Sequence, residues 1–219
     1  MSVAGPSPPV ASRVAGILPF RGLGGPKTRL SGVLSIEERR ALALALLQRA
    51  IRSMCAGGVE TLSIVTMDPR VRSVGIGPCA EIIVQSGAGL NDAIHLGQLW
   101  AVEHGADATL TVLPDLPLLS ADDISALVWR SNPHTAVIAP DRHGRGTNAL
   151  LLHPPDAVAP AFGEGSADRH RRGLALAEIA VVDLERPGIH LDLDTPDDLE
   201  HLLAVGYDWR DLVGTMSVR

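Results

Sequence analysis

The 219-residue chain has little cysteine, few aromatic residues and no long hydrophobic run. The longest apolar candidate, 41–47, ends at Gln48, well short of the 18 residues that would indicate a membrane-spanning helix. The N-terminus has no apolar signal core, so we expect a cytoplasmic protein with no membrane partner. Two cysteines, Cys55 and Cys79, cannot build a disulfide framework, and we expect both to be buried thiols.

An excess of positive charge is also missing. The formal net charge is −6, and we therefore expect no nucleic-acid partner. With 46% hydrophobic and 20% charged residues, most of the chain is expected to fold. We assign residues 13–206 to one domain, between a disordered tail at 1–12 and a second tail at 207–219. The oligomeric state is left open, with a homodimer as one option.

Short β-type runs alternate with helical patterns from Val14 onward. This order predicts an α/β fold with a mostly parallel, doubly wound (Rossmann-like) sheet between layers of helices. Ligands of such sheets bind beyond the carboxyl ends of the strands. The predicted strands are 14–20, 61–67, 80–85, 109–113, 135–139, 148–152, 179–184 and 190–194. The predicted helices begin at 35, 90, 120, 166 and 196, with a short one after Pro69.

Lysine is nearly absent, because eighteen of the nineteen basic residues are arginine. The exception, Lys27, stands in the glycine-rich segment 21–30, directly after the first predicted strand. Glycines let backbone N–H groups approach phosphate oxygens, and Lys27 and Arg29 add positive charge. Pro26 excludes a Walker A loop, and the missing third glycine excludes a dinucleotide fingerprint. A flexible surface loop is the alternative interpretation.

Three aspartates form the second group of candidates. Asp115 lies between two prolines, which present its carboxylate rigidly to a hard divalent cation; capping of a turn is the alternative. Strand periodicity would place Asp192 and Asp194 on one face. Two such charges about 4 Å apart cost about 4 kcal/mol at an effective dielectric of 20. A divalent cation would offset this repulsion, whereas a solvated edge strand would reduce it.

The segment before the helix at 166 indicates an anion site. With Ser166 as the predicted N-cap, Arg169 and His170 fall in the first turn, where cations oppose the helix dipole. An anion docked on the helix N-terminus would remove the conflict, and a surface helix screened by salt is the alternative. The turn 141–148 could by itself be an ordinary glycine-rich hairpin, but two other phosphate-type loops make Thr147 and Asn148 candidate ligand contacts. The connection 86–91 could contact a base through Asn91, and a simple connection between a strand and a helix explains it equally well.

Taken in order, these motifs resemble the 2-phospho-L-lactate/phosphoenolpyruvate guanylyltransferases (CofC type), which have a nucleotide-diphospho-sugar transferase-like fold and act in biosynthesis of the deazaflavin coenzyme F-420. The resemblance covers residues 14–203. The family often has lysine where Arg21 stands, and the segment from Tyr207 onward matches nothing in it. The motifs are Lys27-Thr28-Arg29-Leu30, Gly89-Leu90-Asn91, Asp115-Leu116-Pro117, Asp141-Arg142 with Gly146-Thr147-Asn148, Phe162-Gly163 with Ser166, Arg169-His170, and Asp192-Leu193-Asp194-Thr195-Pro196.

The resemblance implies transfer of GMP from GTP to phosphoenolpyruvate or 2-phospho-L-lactate, with release of pyrophosphate. It implies Mg²⁺ as cofactor, two ions in all, held by Asp115, Asp192 and Asp194. Lys27, Arg29 and Asp115 are the implied catalytic residues. The implied acceptor-binding residues are Thr147, Gly163 and Ser166. The implied nucleotide-binding residues are Arg21, Gly22, Gly24, Lys27, Gly89, Asn91 and Pro114.

Two other functions are compatible with the motifs. One is another nucleotidyltransferase of the same fold, such as a molybdenum-cofactor guanylyltransferase or a sugar-phosphate cytidylyltransferase. The other is a non-catalytic nucleotide-binding regulator. The sequence does not separate phosphoenolpyruvate, phospholactate and 3-phosphoglycerate as acceptors. We favour phosphoenolpyruvate because the arginine-rich composition is typical of a GC-rich bacterium, and bacterial members of the family are expected to use that acid.

Overall fold

A seven-stranded sheet forms the centre of the structure, a computed structural model that describes residues 13–74, 78–87 and 89–214. The strands are β1 (Val14–Phe20), β2 (Thr61–Thr66), β3 (Ala80–Val84), β4 (Ala108–Val112), β5 (Thr135–Pro140), β6 (Thr147–His153) and β7 (Ala180–Asp183). Their order is β3-β2-β1-β4-β6-β5-β7, and only β6 runs antiparallel to its neighbours in this sheet. The predicted mostly parallel α/β class is confirmed.

Helices cover both faces of the sheet. They are α1 (Ile36–Ala56), α2 (Leu90–Glu103), α3 (Ala121–Val128), α4 (Ser166–Leu176), α5 (Pro187–His190), α6 (Pro196–Ala204) and α7 (Trp209–Gly214). On β1, Ile17 packs with Ala93 of α2, whereas Leu18 belongs to the cluster that includes Leu47 of α1. Successive side chains of a strand point to opposite faces, and helices cover both faces of β1. The strand is therefore buried along its whole length.

Three helices with correctly predicted starts begin with capping boxes. In each, the N-cap hydroxyl accepts the N3 backbone N–H while the N3 carboxylate accepts the N-cap N–H. The pairs are Ser35 with Glu38, Ser120 with Asp123, and Thr195 with Asp198. These contacts fix the starts of α1, α3 and α6.

The predicted strand at 190–194 is wrong. His190 ends the short helix α5, and the residues after it are extended without joining the sheet. Their alternation is nonetheless real, since Leu191 and Leu193 are buried while Asp192 and Asp194 are partly exposed. Alternate burial needs only an apolar surface on one side, and here the Leu193 N–H donates to the Asp115 carbonyl at 3.0 Å instead of to a strand.

The two cysteines are not free thiols, contrary to the expectation above. Cys55, at the end of α1, and Cys79, just before β3, form a disulfide with their Cα atoms 6.3 Å apart. They are 24 residues apart in the sequence, so no local pattern indicates that they meet. The chain enters β2 shortly after α1 ends, and β2 pairs in parallel with β3. The start of β3 therefore lies beside the end of α1.

The segment assigned to a C-terminal tail packs on the domain as far as Gly214. Trp209 of α7 is only 5% exposed and belongs to a leucine-rich cluster with Leu42 and Leu46 of α1. The domain therefore extends past residue 206. The predicted tail at 1–12 and residues 215–219 lie outside the described residues. Within the described ranges, every helix is too short or too polar to span a bilayer.

Asp198 holds the segment that contains Asp192 and Asp194. It is 4% exposed and accepts the N–H groups of Asp194 and Thr195 at 2.9 and 2.7 Å. Arg142 forms an ion pair with its second oxygen at 2.6 Å. Burial by itself would raise the pKa of Asp198, but these hydrogen bonds and the Arg142 charge together lower it.

We expect Asp198→Ala to lower the free energy of unfolding by about 2 kcal/mol, because it leaves two N–H groups without their acceptor and removes the partner of the partly exposed Arg142 guanidinium. Since the folded-state pKa is lowered, the contribution of Asp198 is present above about pH 4 and is lost as the pH falls further. Urea unfolding at pH 7 and at pH 3 measures both effects. Asp197→Ala, an exposed neighbour in the same helical turn, is the control; equal losses in the two variants would contradict this assignment.

Candidate active site

A cavity of about 540 Å³ lies beyond the carboxyl ends of β1 to β4. Its wall includes residues that directly follow these strands, such as Met67 after β2 and Gln85 after β3. The position agrees with the expectation for parallel sheets. Nine of the residues implied by the family resemblance line it: Arg21, Gly22, Lys27, Arg29, Gly89, Pro114, Asp115, Asp192 and Asp194.

Lys27 lies at the centre of the charged groups in this cavity. Its Nζ is 2.8 Å from Asp194 Oδ1 and 3.3 Å from Asp115 Oδ2, and its side chain is 11% exposed. Burial lowers the pKa of Lys27, but the two carboxylates outweigh it and the net pKa is raised. The side chain therefore stays an ammonium. Arg29, at 4.0 Å from Asp194, is 74% exposed and adds positive charge at the rim.

The loop that carries Lys27 is fixed by a residue that sequence reasoning missed. Asp68, 8% exposed, accepts the Leu23 N–H at 2.9 Å and two bonds from Arg70 at 2.7 Å. The Arg70 hydrogen bonds in particular lower the pKa of Asp68. Gly22 has φ of 111°, and a Cβ there would lie 2.4 Å from the Cβ of Asp68. Only glycine fits this crossing.

Two of the three aspartates retain unsatisfied negative charge. Asp115 Oδ1 is buried and, among the described residues, has no hydrogen-bond partner. Burial, and then the charges of Asp115, Asp194 and Asp198, raise the pKa of Asp192 to about 6. The single buried ammonium of Lys27 is shared by Asp115 and Asp194, so Asp192 receives little compensation.

The expectation that Asp115, Asp192 and Asp194 hold Mg²⁺ stays a prediction. Within residues 13–74, 78–87 and 89–214, no three His, Cys, Asp or Glu side chains are arranged as a metal site. Instead, Lys27 bridges Asp115 and Asp194. The donor set nevertheless fits a hard divalent cation, because the unpaired Asp115 oxygen and the poorly compensated Asp192 carboxylate line the same cavity.

The predicted acceptor residues lie apart from the lining of this cavity. Thr147, at the start of β6, and Ser166, at the start of α4, are 2% and 1% exposed. Their hydroxyl oxygens are 3.1 Å apart, and Thr147 Oγ1 is 3.1 Å from Nδ1 of His170. Gly163 is exposed in the loop before α4, with φ of 112°.

Ser166 is not the N-cap of α4, contrary to the prediction. Gly165, with φ of 67°, occupies that position. The two side chains expected to be cations in the first turn, Arg169 and His170, do not need a bound anion to be accommodated. Burial, followed by the Arg169 charge, lowers the pKa of His170 to about 4, so that this side chain is neutral near pH 7. Arg169 donates to the carbonyls of Ala161 and Phe162 at 2.9 and 3.3 Å.

Two asparagine side chains fix distant loop segments through hydrogen bonds to the backbone. Asn91 accepts the Phe162 N–H at 2.8 Å and donates to the Phe162 carbonyl at 3.2 Å, and so ties the start of α2 to the loop before α4. Asn148, 3% exposed, donates to the Ile189 carbonyl at 2.7 Å and so holds the segment that leads to Asp192. Both contacts join residues far apart in the sequence, which no local pattern could reveal.

The sheet order and the cavity define a fold of the nucleotidyltransferase type. A putative nucleotide-diphospho-sugar transferase from Desulfovibrio desulfuricans G20 superimposes with a TM-score of 0.75 at 17% identity, covering 93% of this chain and 95% of that chain. Rv0371C from Mycobacterium tuberculosis, solved in complex with manganese, has the same fold, with a TM-score of 0.51 at 16% identity over 88% of this chain and 99% of that chain.

The sequence comparison defines the family. The family described as guanylyl transferase CofC like matches residues 14–211, and the chain belongs to it. A phosphoenolpyruvate guanylyltransferase from Sphaerobacter thermophilus is 42% identical over 192 residues, covering 85% of this chain and 90% of the relative. A 3-phospho-D-glycerate guanylyltransferase from Phenylobacterium zucineum is 34% identical over 187 residues, covering 83% and 86%. The resemblance derived from the motifs is thus confirmed.

The charge imbalance at Asp192 predicts a substitution that stabilises the protein. Because the folded-state pKa of about 6 exceeds the unfolded value, the ionised form of Asp192 lowers stability as the pH rises from about 4 to above 6. Without divalent cations, we expect Asp192→Asn to raise the free energy of unfolding by about 1–2 kcal/mol at pH 8. This value takes account of the partial exposure of the side chain. At pH 4 the same substitution should change the free energy of unfolding little.

The matched variant is Asp194→Asn, which removes the charge that lies 2.8 Å from the Lys27 ammonium. We expect this variant to be less stable than the wild type at pH 8, by about 1 kcal/mol. Urea unfolding in the presence of EDTA measures both proteins. A destabilised Asp192→Asn protein, or a gain that does not depend on pH, would show that the carboxylate is compensated in the folded state.

Proposed function

We propose that this enzyme transfers GMP from GTP to phosphoenolpyruvate, with release of pyrophosphate, in the biosynthesis of the deazaflavin coenzyme F-420. The observation that carries the proposal is the buried Lys27 ammonium beside Asp115 and Asp194 in a cavity walled by a glycine-rich loop. The names of the curated relatives support guanylyl transfer to a phosphorylated carboxylic acid, either phosphoenolpyruvate or 3-phospho-D-glycerate. A 2-phospho-L-lactate acceptor remains an alternative to be tested.

The reaction needs alignment and charge stabilisation rather than a general base. A phosphate oxygen of the acceptor, already anionic, forms a bond to the α-phosphorus of GTP, and the bond from that phosphorus to the β-phosphate oxygen breaks. Pyrophosphate leaves with the electron pair, and no proton has to move. The barrier is the repulsion between two anions, which fixed positive groups reduce. Lys27, held as an ammonium, and Arg29 are proposed to stabilise the triphosphate.

The proposal includes Mg²⁺, two ions, held by Asp115, Asp192 and Asp194. When bound, the metal supplies positive charge to the phosphates of the nucleotide. The unpaired oxygen of Asp115 and the raised pKa of Asp192 support this assignment, as does the manganese in the M. tuberculosis neighbour. Cation binding would remove the repulsion that the metal-free carboxylates retain.

The remaining residues are proposed to divide between the two substrates. Thr147, Gly163 and Ser166 would hold the phosphate and carboxylate of the acceptor, since Thr147 and Ser166 offer hydroxyl donors and Gly163 lies near the Arg169 guanidinium. The nucleotide would contact the loop residues implied by the family: Arg21, Gly22, Gly24, Gly89, Asn91 and Pro114. A cytoplasmic location without nucleic-acid or membrane partners belongs to the same proposal, and a homodimer remains an option.

A turnover assay tests the function directly. We expect pyrophosphate release from GTP and Mg²⁺ only when an acid acceptor is present, with phosphoenolpyruvate better than phospholactate or 3-phosphoglycerate. Asp115→Asn should reduce turnover by about 100-fold or more, because an uncharged amide anchors a cation poorly. Circular dichroism should show an intact fold.

Asp122→Asn, an exposed residue on α3, is the matched control and should retain wild-type turnover. Failure of all three acids to stimulate pyrophosphate release would favour a nucleotide-binding regulator. Preference for CTP over GTP would favour a sugar-phosphate cytidylyltransferase. Unchanged Mg²⁺-dependent turnover in Asp115→Asn would remove Asp115 from the metal site.

The acceptor assignment predicts a selective effect of Ser166→Ala. Loss of one hydrogen bond to an anion should raise the KM for phosphoenolpyruvate about tenfold and leave the KM for GTP within about twofold. Steady-state kinetics with each substrate varied in turn measures the difference. Ser125→Ala removes a hydroxyl that donates to the Gly57 carbonyl on the other side of the domain, and it should change neither constant. Equal losses for both substrates would relocate the acceptor site.

A further inference from the structure

His170 has a defined pattern of hydrogen bonds in the buried layer beneath the loop before α4. Its Nε2 lies 3.2 Å from the backbone nitrogen of Ala161, and its Nδ1 lies 3.1 Å from Thr147 Oγ1. A backbone N–H can only donate, so Nε2 must present its lone pair to Ala161. In a neutral imidazole the single N–H is then on Nδ1, and it donates to Thr147.

The surroundings keep His170 in this neutral form. The residue is 1% exposed, and the ring of Phe162 packs edge-on against it at 4.8 Å between centroids. The neighbouring Arg169 guanidinium adds positive charge, which disfavours a second proton on the imidazole. Protonation would also point a hydrogen from Nε2 at the Ala161 N–H. The tautomer with the proton on Nδ1 is therefore fixed by geometry as well as by burial.

The hydrogens of the Thr147–Ser166 pair can then be counted. The two hydroxyls are 3.1 Å apart and have two hydrogens between them, of which one bridges the two oxygens. Because Thr147 already accepts from His170, the second hydrogen has no acceptor in the hydrogen bonds of the described residues. Either direction of the bridging hydrogen bond leaves one hydroxyl hydrogen unpaired. With both residues nearly buried, this unpaired donor is unfavourable until a ligand supplies an oxygen.

We propose that His170 is a positioning residue that makes the Thr147–Ser166 pair a donor, so that the pair donates a hydrogen bond to an anionic oxygen of a ligand and disfavours an ammonium, which has no acceptor. That the oxygen belongs to the phosphate or carboxylate of phosphoenolpyruvate rests on the proposed function. The loop above the pair is held from both sides, by Asn91 on Phe162 and by Arg169 on Ala161. His170 thus acts through Thr147 and not on the substrate itself.

The tautomer is measured on the wild-type protein. With ¹⁵N-labelled histidine, NMR at pH 7 should show the signal pattern of a neutral ring protonated on Nδ1, assigned by its loss in His170→Asn. Addition of phosphoenolpyruvate should leave this tautomer unchanged. A ring protonated on Nε2, or on both nitrogens, would overturn the proposal without any need for a variant to be active.

Kinetics then separates positioning from packing. We expect His170→Leu, which keeps an apolar side chain but no hydrogen bonds, to raise the KM for phosphoenolpyruvate about tenfold and the KM for GTP less than twofold. His170→Asn restores a donor near the position of Nδ1 and should return the KM for phosphoenolpyruvate to within about threefold of wild type. Equal changes for both substrates, or equal effects of Leu and Asn, would show a merely structural role.

The matched control is His153→Ala, at the opposite end of β6. His153 also contacts a serine hydroxyl, that of Ser131 at 3.2 Å, and burial likewise lowers its pKa. Its removal should leave both KM values unchanged. If wild-type protein gives no turnover with any acid, the proposed function fails while the NMR result still decides the hydrogen-bond pattern. If turnover is normal and the tautomer is wrong, only the role of His170 is lost.

Discussion

The carboxylates of the candidate active site carry more negative charge than the buried Lys27 ammonium can neutralise, and the rest of the structure has to hold this imbalance in place. Lys27 contacts Asp115 and Asp194, while Asp192 lies in the same cavity with little compensation. The arrangement persists because the backbone on both sides is held independently of the charges. Asp68 fixes the loop of Lys27, and Asp198 fixes the segment of Asp192 and Asp194.

We expect the charges of the candidate active site to lower the stability of the folded protein when no ligand is bound. The carboxylates repel each other when nothing is bound, and Lys27 itself adopts φ of 51° in the left-handed region, which costs a non-glycine residue about 1–2 kcal/mol. The surrounding sheet supplies the stability that tolerates both. In β1 and β4 every residue is buried, and the loops that carry Lys27 and Asp115 follow directly from these strands.

The features that could be predicted from the sequence are those that depend on residues close together in the chain. The strand at 14–20 and the starts of α1, α3 and α6 depend on residues a few positions apart, and each is confirmed. The bond between Lys27 and Asp194 joins residues 167 positions apart, so the sequence could indicate charge at both positions but not their pairing. The disulfide and the role of Asp68 escaped prediction for the same reason.

The error at Ser166 is more informative than the successes. An N-cap serine uses its oxygen to accept a backbone N–H of its own helix, and that oxygen then serves local structure. Gly165, in the left-handed region, takes over the start of α4 and moves Ser166 into the first turn, where its hydroxyl faces Thr147 instead. The glycine thereby leaves the Ser166 hydroxyl free of the capping role and available for the proposed contact with the acceptor. Sequence rules that assign serine to the cap cannot detect this separation, because it depends on the backbone conformation of the preceding residue.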